Sequence, residues 1–227
     1  MGLMPMIIKN GDIKNGDIEA SQLLLLFNWM SPAFPIGTYA YSHGLEWAIE
    51  SGQVKSKTEV ESWINDVITR GSGWNDAVLF VQEFQNQNVN DLALALCSSR
   101  ERYLETTQLG AAFMTASGVF TRIENLSQVL AYPIAAARAS KAMKIDPAHA
   151  LLAFLQGFSN ALISVAVRLV PLGQKAGLEL MRDLMPMIAD VARGALLARL
   201  DDLGSCTLMS DIASIKHETQ YSRVFRT

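Results

Sequence analysis

Between Asp146 and Arg168 the chain carries no formally charged side chain. A run of that length is enough to cross a bilayer as a helix. Its polar residues, His149, Gln156, Ser159, Asn160 and Ser164, argue for another reading. So does the spacing of Leu151, Phe154, Leu155, Phe158, Leu162 and Val165, which recur at three- and four-residue steps. That period gathers them into one stripe, the pattern of a helix packed against other helices. The segment reads as a core helix of a bundle. Asp146-Pro147 opens it, because proline is tolerated in a first turn.

A helix so apolar needs helical neighbours, and the remaining sequence supplies them. Ser21 starts a helix that Pro32 stops, and Thr38 to Glu50 is helix-compatible with Gly52 past its end. Ser56 with Glu59, or Thr58 with Glu61, forms a capping box for "KTEVESWINDVITR", and "GSG" at 71–73 breaks the path. Asn90 is expected to cap "DLALALCSSRERYLE", with further helices over about 106–123 and 126–143. "PLG" at 171–173 turns the chain into an amphipathic helix over 174–200, which Pro186 should kink. Ser210 is the expected cap of a short last helix. Strand-like runs are lacking. The expectation is an all-α, single-domain bundle of about eight to ten helices over residues 20–227.

Residues 1–19 stand apart. They hold the tandem "KNGDI" at 9–13 and 14–18, too short for a solenoid unit and rich in turn formers, so a mobile arm is expected. "MGLMPMIIKNGD" lacks the basic region and apolar run of a secretory signal. Together with two cysteines, Cys97 and Cys206, at no motif spacing, this points to a cytoplasmic chain with reduced thiols.

The net charge is −3 with 18% charged residues, which disfavours nucleic acid as a partner. Neither a dinucleotide-binding glycine pattern, a phosphate loop nor a nucleophile elbow occurs. His43, His149 and His217 lie far apart. His43 with Glu46 and Arg168 is one candidate pocket for a helical enzyme or small-ligand protein, although His43 fits a helix histidine bonded near a turn better. Arg168 better fits a structural role, as a snorkelling side chain or the partner of a carboxylate across the bundle. Cys206 and His217 are weak metal candidates, two ligands without a third, so neither metal nor cofactor is expected.

Two segments have the character of docking surfaces. "SPAFPIGTYAYSHGLEWAIESG" at 31–52 sets Pro32, Pro35 and Gly37 ahead of Tyr39, Tyr41, His43 and Trp47. Gly44, taken as mid-helix, suits a close approach by another backbone. The C-terminus, about 217–227, mixes His217, Gln220, Tyr221, Arg223, Phe225 and Arg226, and arginine with aromatics is typical of binding hot spots. The tail is expected to be mobile alone and to order on a partner.

The same segments carry a family resemblance. The 31–52 stretch resembles the Ser-Pro-x-x-Pro-x-Gly turn and Ser-His-Gly-Leu-Glu signature of the UreF family of urease accessory proteins. "VRLVPLGQ" at 167–174, with Pro171, Gly173 and Gln174, resembles a second family motif, and "DIASIKHETQYSRVFRT" at 211–227 resembles the family's ending. Thr38 and Tyr39 replace a common Gly-Phe, Val224 a leucine and Thr227 a serine. The resemblance implies an all-α homodimer and a co-chaperone. Its implied partners are UreD (also called UreH), the GTPase UreG and apo-urease, with nickel insertion as the outcome and GTPase regulation a further role. UreD is expected at the C-terminal segment and around the Ser-His-Gly-Leu-Glu helix, including Glu46. No membrane partner is implied.

Overall fold

The chain's conformation is given by a computed structural model that describes residues 18–123 and 128–226. The arm expectation thus lies outside the described residues except for Ile18, which packs on the core, and Glu19. Among the described residues there are ten α-helices, two short 3₁₀ turns and no strand.

Each helix begins where local chemistry satisfies its first amides. Helix α1, Ala20–Trp29, starts one residue before the expected Ser21, because Glu19 and Gln22 cap each other. Helix α2 is only Leu45–Glu50, and α3 is Lys57–Arg70 with the Ser56/Glu59 capping box in place. Helix α4, Ser72–Phe84, follows directly after Gly71.

The next boundary differs from expectation. Residues 90–105 do not form one helix: α5 is Asn90–Ala95 and α6 is Arg100–Thr121. Ser99 makes the break, since its hydroxyl accepts the Arg102 amide and caps α6. Asn90 is not a cap. Its side chain donates to the Val129 carbonyl and accepts the Ala131 amide, tying α5 to the chain ahead of α7, Tyr132–Ala142.

Helix α8, Pro147–Leu169, is capped by Asp146, whose carboxylate accepts the Ala148 amide. By length and composition alone it could cross a membrane. In this fold it is the central element, in contact with α2, α3, α4, α7 and α9. Helix α9, Gly173–Leu197, runs through Pro186, and α10, Leu208–His217, begins after Thr207 rather than at Ser210. Gly110 explains how closely α6 meets the segment before α7: a Cβ there would collide with the Leu130 carbonyl oxygen. The core is one continuous cluster that includes Trp29, Phe80, Phe113, Phe154, Leu151 and Leu155.

Candidate functional site: the junction of three distant segments

The 31–52 stretch is mostly not helical. Gly37 takes φ +77°, a 3₁₀ turn covers Thr38–Ala40, and His43 and Gly44 follow with φ of 53° and 74°. Two successive left-handed residues reverse the chain before α2, a conformation that favours glycine at the second. Gly44 therefore lies at the start of a helix and not inside one. The close backbone approach is real: a Cβ on Gly44 would sit 2.6 Å from the Ser214 amide nitrogen in α10.

Helix α10 in turn delivers the tail. Residues beyond His217 fold back instead of standing free. The amides of Val224 and Phe225 donate to the two oxygens of Glu46 at 2.7 and 2.9 Å, and the Arg226 amide donates to the Ala40 carbonyl at 2.7 Å. Phe225 is buried. The expectation of a mobile tail rests on the lack of apolar anchors in polar tails. Here one buried ring and one buried carboxylate hold it.

His217 is wholly buried between two carboxylates. Its Nδ1 lies 2.8 Å from Glu101 and its Nε2 3.0 Å from Glu46. Burial alone would lower its pKa, but the hydrogen bonds to Glu101 and Glu46 outweigh that and raise it. Arg223 reaches Glu101 at 3.2 Å.

The motif at 167–174 joins the same place. The Arg168 guanidinium stands 6.0 Å from the Tyr39 ring and 5.8 Å from the Phe225 ring, within cation–π range. Pro171, Gly173 and Gln174 are exposed at the turn into α9, with Gly173 at φ 73°. Three segments far apart in sequence thus share one junction.

Of the proposed surface residues, Tyr39, Tyr221, Arg223 and Arg226 are exposed, and so are Pro32 and Pro35. Trp47 and Gln220 are half-buried, with Gln220 donating to Glu50. Tyr41, His43, Glu46, His217 and Phe225 are buried. Those five shape the surface from beneath and do not present themselves on it.

The pocket drawn from His43, Glu46 and Arg168 is not assembled. Glu46 faces His217 and the tail, Arg168 stacks on two rings, and His43 turns inward to Glu105, at 3.0 Å from Nδ1. Glu105 also holds Arg102 at 2.8 Å, and Arg102 reaches Asp76 at 3.4 Å. This inner cluster borders a cavity of about 40 Å³ together with Tyr41, Tyr132 and Phe158. Burial, reinforced by Arg102, lowers the His43 pKa, and burial raises that of Asp76 to about 6. Burial would also raise Glu105, but Arg102 and His43 hold it down at about 2. A neutral His43 donating to Glu105 leaves its buried Nε2 as an acceptor, an atom with no hydrogen-bond partner among the described residues.

Cys206 and His217 are not brought together. Cys206 is exposed, with its amide bonded to Arg70 at the end of α3, while His217 is enclosed by α2, α6 and the tail. Among the described residues no group of three or more His, Cys, Asp or Glu side chains is placed to hold a metal.

Sequence reasoning missed Glu101, Arg102, Glu105 and Asp76. The available signal was spacing: in "RERYLE" the residues 101, 102 and 105 share one helical face, the face that turns inward.

The fold and this junction define an all-α protein whose C-terminal segment packs back onto the turn before α2 and the start of α6. Its relatives are specific. The UreF family model matches residues 54–185. The chain is 41% identical over 212 residues to a urease accessory protein UreF of Ruegeria pomeroyi, covering 91% of this chain and 97% of that one. It is 44% identical over 223 residues to the UreF of Rhizobium leguminosarum bv. viciae, covering 93% and 99%. With the UreF of Methylobacterium radiotolerans the identity is 40% over 225 residues, covering 92% and 98%. The chain belongs to the UreF family of urease accessory proteins.

Proposed function

We propose that this chain is a co-chaperone of urease maturation. It assembles with UreD (UreH) and the GTPase UreG on apo-urease, acts as a cytoplasmic homodimer, and supports nickel insertion without turning over a substrate of its own. Regulation of the GTPase belongs to the same reading. Nickel is cargo here, not a resident cofactor.

The observation that carries the proposal is the junction itself. Tyr39, Arg168, Tyr221, Val224 and Arg226 are exposed above a floor made by Glu46, His217 and Phe225. Tyr221 has no shielding at all, and Val224 is 70% exposed. Exposed aromatic and arginine side chains on a backbone already fixed lower the ordering cost of binding.

Co-purification of the full chain with UreD and UreG, with and without GTP, tests the reading. Wild type should retain both partners. The double variant Tyr221→Ala/Val224→Ala removes two mostly exposed side chains and should weaken UreD retention about tenfold or more. Undiminished retention would move the contact elsewhere on the molecule. Failure of the wild-type chain to retain either protein would sink the proposal.

A further inference from the structure

We propose that the C-terminal tail is closed by a proton-operated latch in which His217, doubly protonated, bridges Glu46 and Glu101, and that removing this proton releases residues 218–226. This inference stands whether or not the tail is a partner surface.

The geometry fixes the proton count. A neutral imidazole has one N–H to donate. Here both ring nitrogens face carboxylate oxygens, Nδ1 at 2.8 Å from Glu101 and Nε2 at 3.0 Å from Glu46. With one proton missing, a nitrogen lone pair would oppose a carboxylate oxygen at that distance. Glu46 is not placed to supply the second proton. Both oxygens of Glu46 already accept tail amides, from Val224 and Phe225, and Glu101 accepts Arg223.

The charge count agrees. The groups facing His217 are Glu46 from α2, Glu101 from α6 and Arg223 from the tail; Glu218 follows it in the chain and accepts the Arg100 amide. Two carboxylates against one guanidinium leave a net charge of −1 in a site where His217 and Glu46 are buried, and the imidazolium cancels it. A buried uncompensated charge is strongly unfavourable. Glu46 is the shared element. It holds the imidazolium on one side and the tail backbone on the other, so loss of the cation loosens the group that anchors the tail.

The sign follows from the raised folded pKa. The latch contributes fully below the unfolded histidine value of 6.5 and is lost as pH rises through the folded value. His43, whose folded pKa is lowered, runs in the opposite sense, so a global stability curve would mix the two. A local readout separates them.

The test is amide hydrogen exchange by NMR on the full chain between pH 6 and 9. The protection factors of Val224 and Phe225 are read after correction for the intrinsic rate. Wild type should hold its protection below pH 6.5, lose it by up to about tenfold per pH unit between 6.5 and the folded His217 pKa, and level off above that value. Glu101→Gln removes one carboxylate and should move the midpoint to lower pH, a shift that a merely structural role would not give. His217→Gln should show low protection at every pH. If that variant does not fold, the Glu101→Gln midpoint and the imidazole nitrogen shifts of wild-type His217 decide. Protection that is flat from pH 6 to 9, an unmoved midpoint in Glu101→Gln, or a singly protonated His217 at pH 6.5 would each overturn the proposal.

Discussion

The Cα of Gly44 faces the Ser214 amide so closely that a Cβ on Gly44 would stand 2.6 Å from that nitrogen. Ala213 adds a second obstacle, its carbonyl carbon at 2.9 Å. Both contacts are backbone, so neither can rotate away. The close packing of α2 on α10, and the seat it gives the tail, depend on a residue without a side chain.

Gly44→Ala should therefore destabilise the protein by about 2–4 kcal/mol, the sum of a left-handed φ and a forced backbone shift. Gly37→Ala is the matched control. Gly37 has nearly the same φ, +77°, but a Cβ there would meet nothing within 4 Å, so it should lose only the conformational part, about 1 kcal/mol. Urea unfolding of both variants checks this. Equal losses would show that the approach of α10 is not what requires Gly44.

Much of the fold was legible in the sequence. The uncharged α8 announced a buried helix by its stripe, and Ser56, Asp146 and Gly173 marked boundaries through their own side-chain or backbone chemistry. The site was legible only as residue types. Tyr41, His43 and Phe225 look like surface anchors in a linear reading, because nothing local reveals that two left-handed residues turn His43 inward or that Glu46 accepts amides from residues near the other end of the chain. The break at 96–99 was missed for a related reason: Ser99 caps α6, but a serine within a helix-compatible run carries no sign of which role it takes.

Ser99 has two tasks. Its hydroxyl accepts the Arg102 amide and lies 2.6 Å from the Ser214 hydroxyl, joining the start of α6 to α10. Ser99→Ala should cost about 1–2 kcal/mol, the usual loss for a removed cap. Ser99→Asn keeps a capping oxygen and should recover part of that stability. Thermal unfolding of the pair measures both effects. A neutral Ser99→Ala would mean that the first turn of α6 finds its amide partners elsewhere.

The inner cluster gives a pH signature. Asp76 has a folded pKa of about 6 against 3.8 for an ordinary aspartate, with burial as the leading cause. Between those values the folded chain binds more protons than the unfolded one, so this group adds stability as pH falls. Glu105 works the other way: its folded value of about 2 means that its contribution is lost as pH drops below 4.5. Asp76→Asn removes the first effect alone. The stability of wild type relative to Asp76→Asn should rise between pH 7 and pH 4, by an amount that approaches but does not exceed about 3 kcal/mol for the shift from 3.8 to 6. Parallel urea series at pH 7, 6, 5 and 4 give the difference. A constant difference across the series would mean that Asp76 does not take up a proton in this range.

Arg168 is placed to couple the segments that the sequence keeps far apart. Its guanidinium lies over Tyr39 on one side and Phe225 on the other, and Arg168 is itself exposed. An exposed cation over a ring contributes about 0.5–1 kcal/mol. A double-mutant cycle isolates that contribution from the loss of the side chains themselves. Arg168→Ala, Tyr39→Leu and the double variant should show a coupling of about 0.5–1 kcal/mol in urea unfolding. Tyr39→Leu keeps apolar bulk while removing the ring quadrupole, so additivity would mean that the guanidinium only covers apolar surface there. Arg168→Lys should keep part of the coupling, because an ammonium retains the charge but not the planar stacking. Coupling in the Arg168–Tyr39 cycle that disappears when Phe225 is replaced by leucine would further show that the cation needs both rings, which ties the entry loop to the tail through α8.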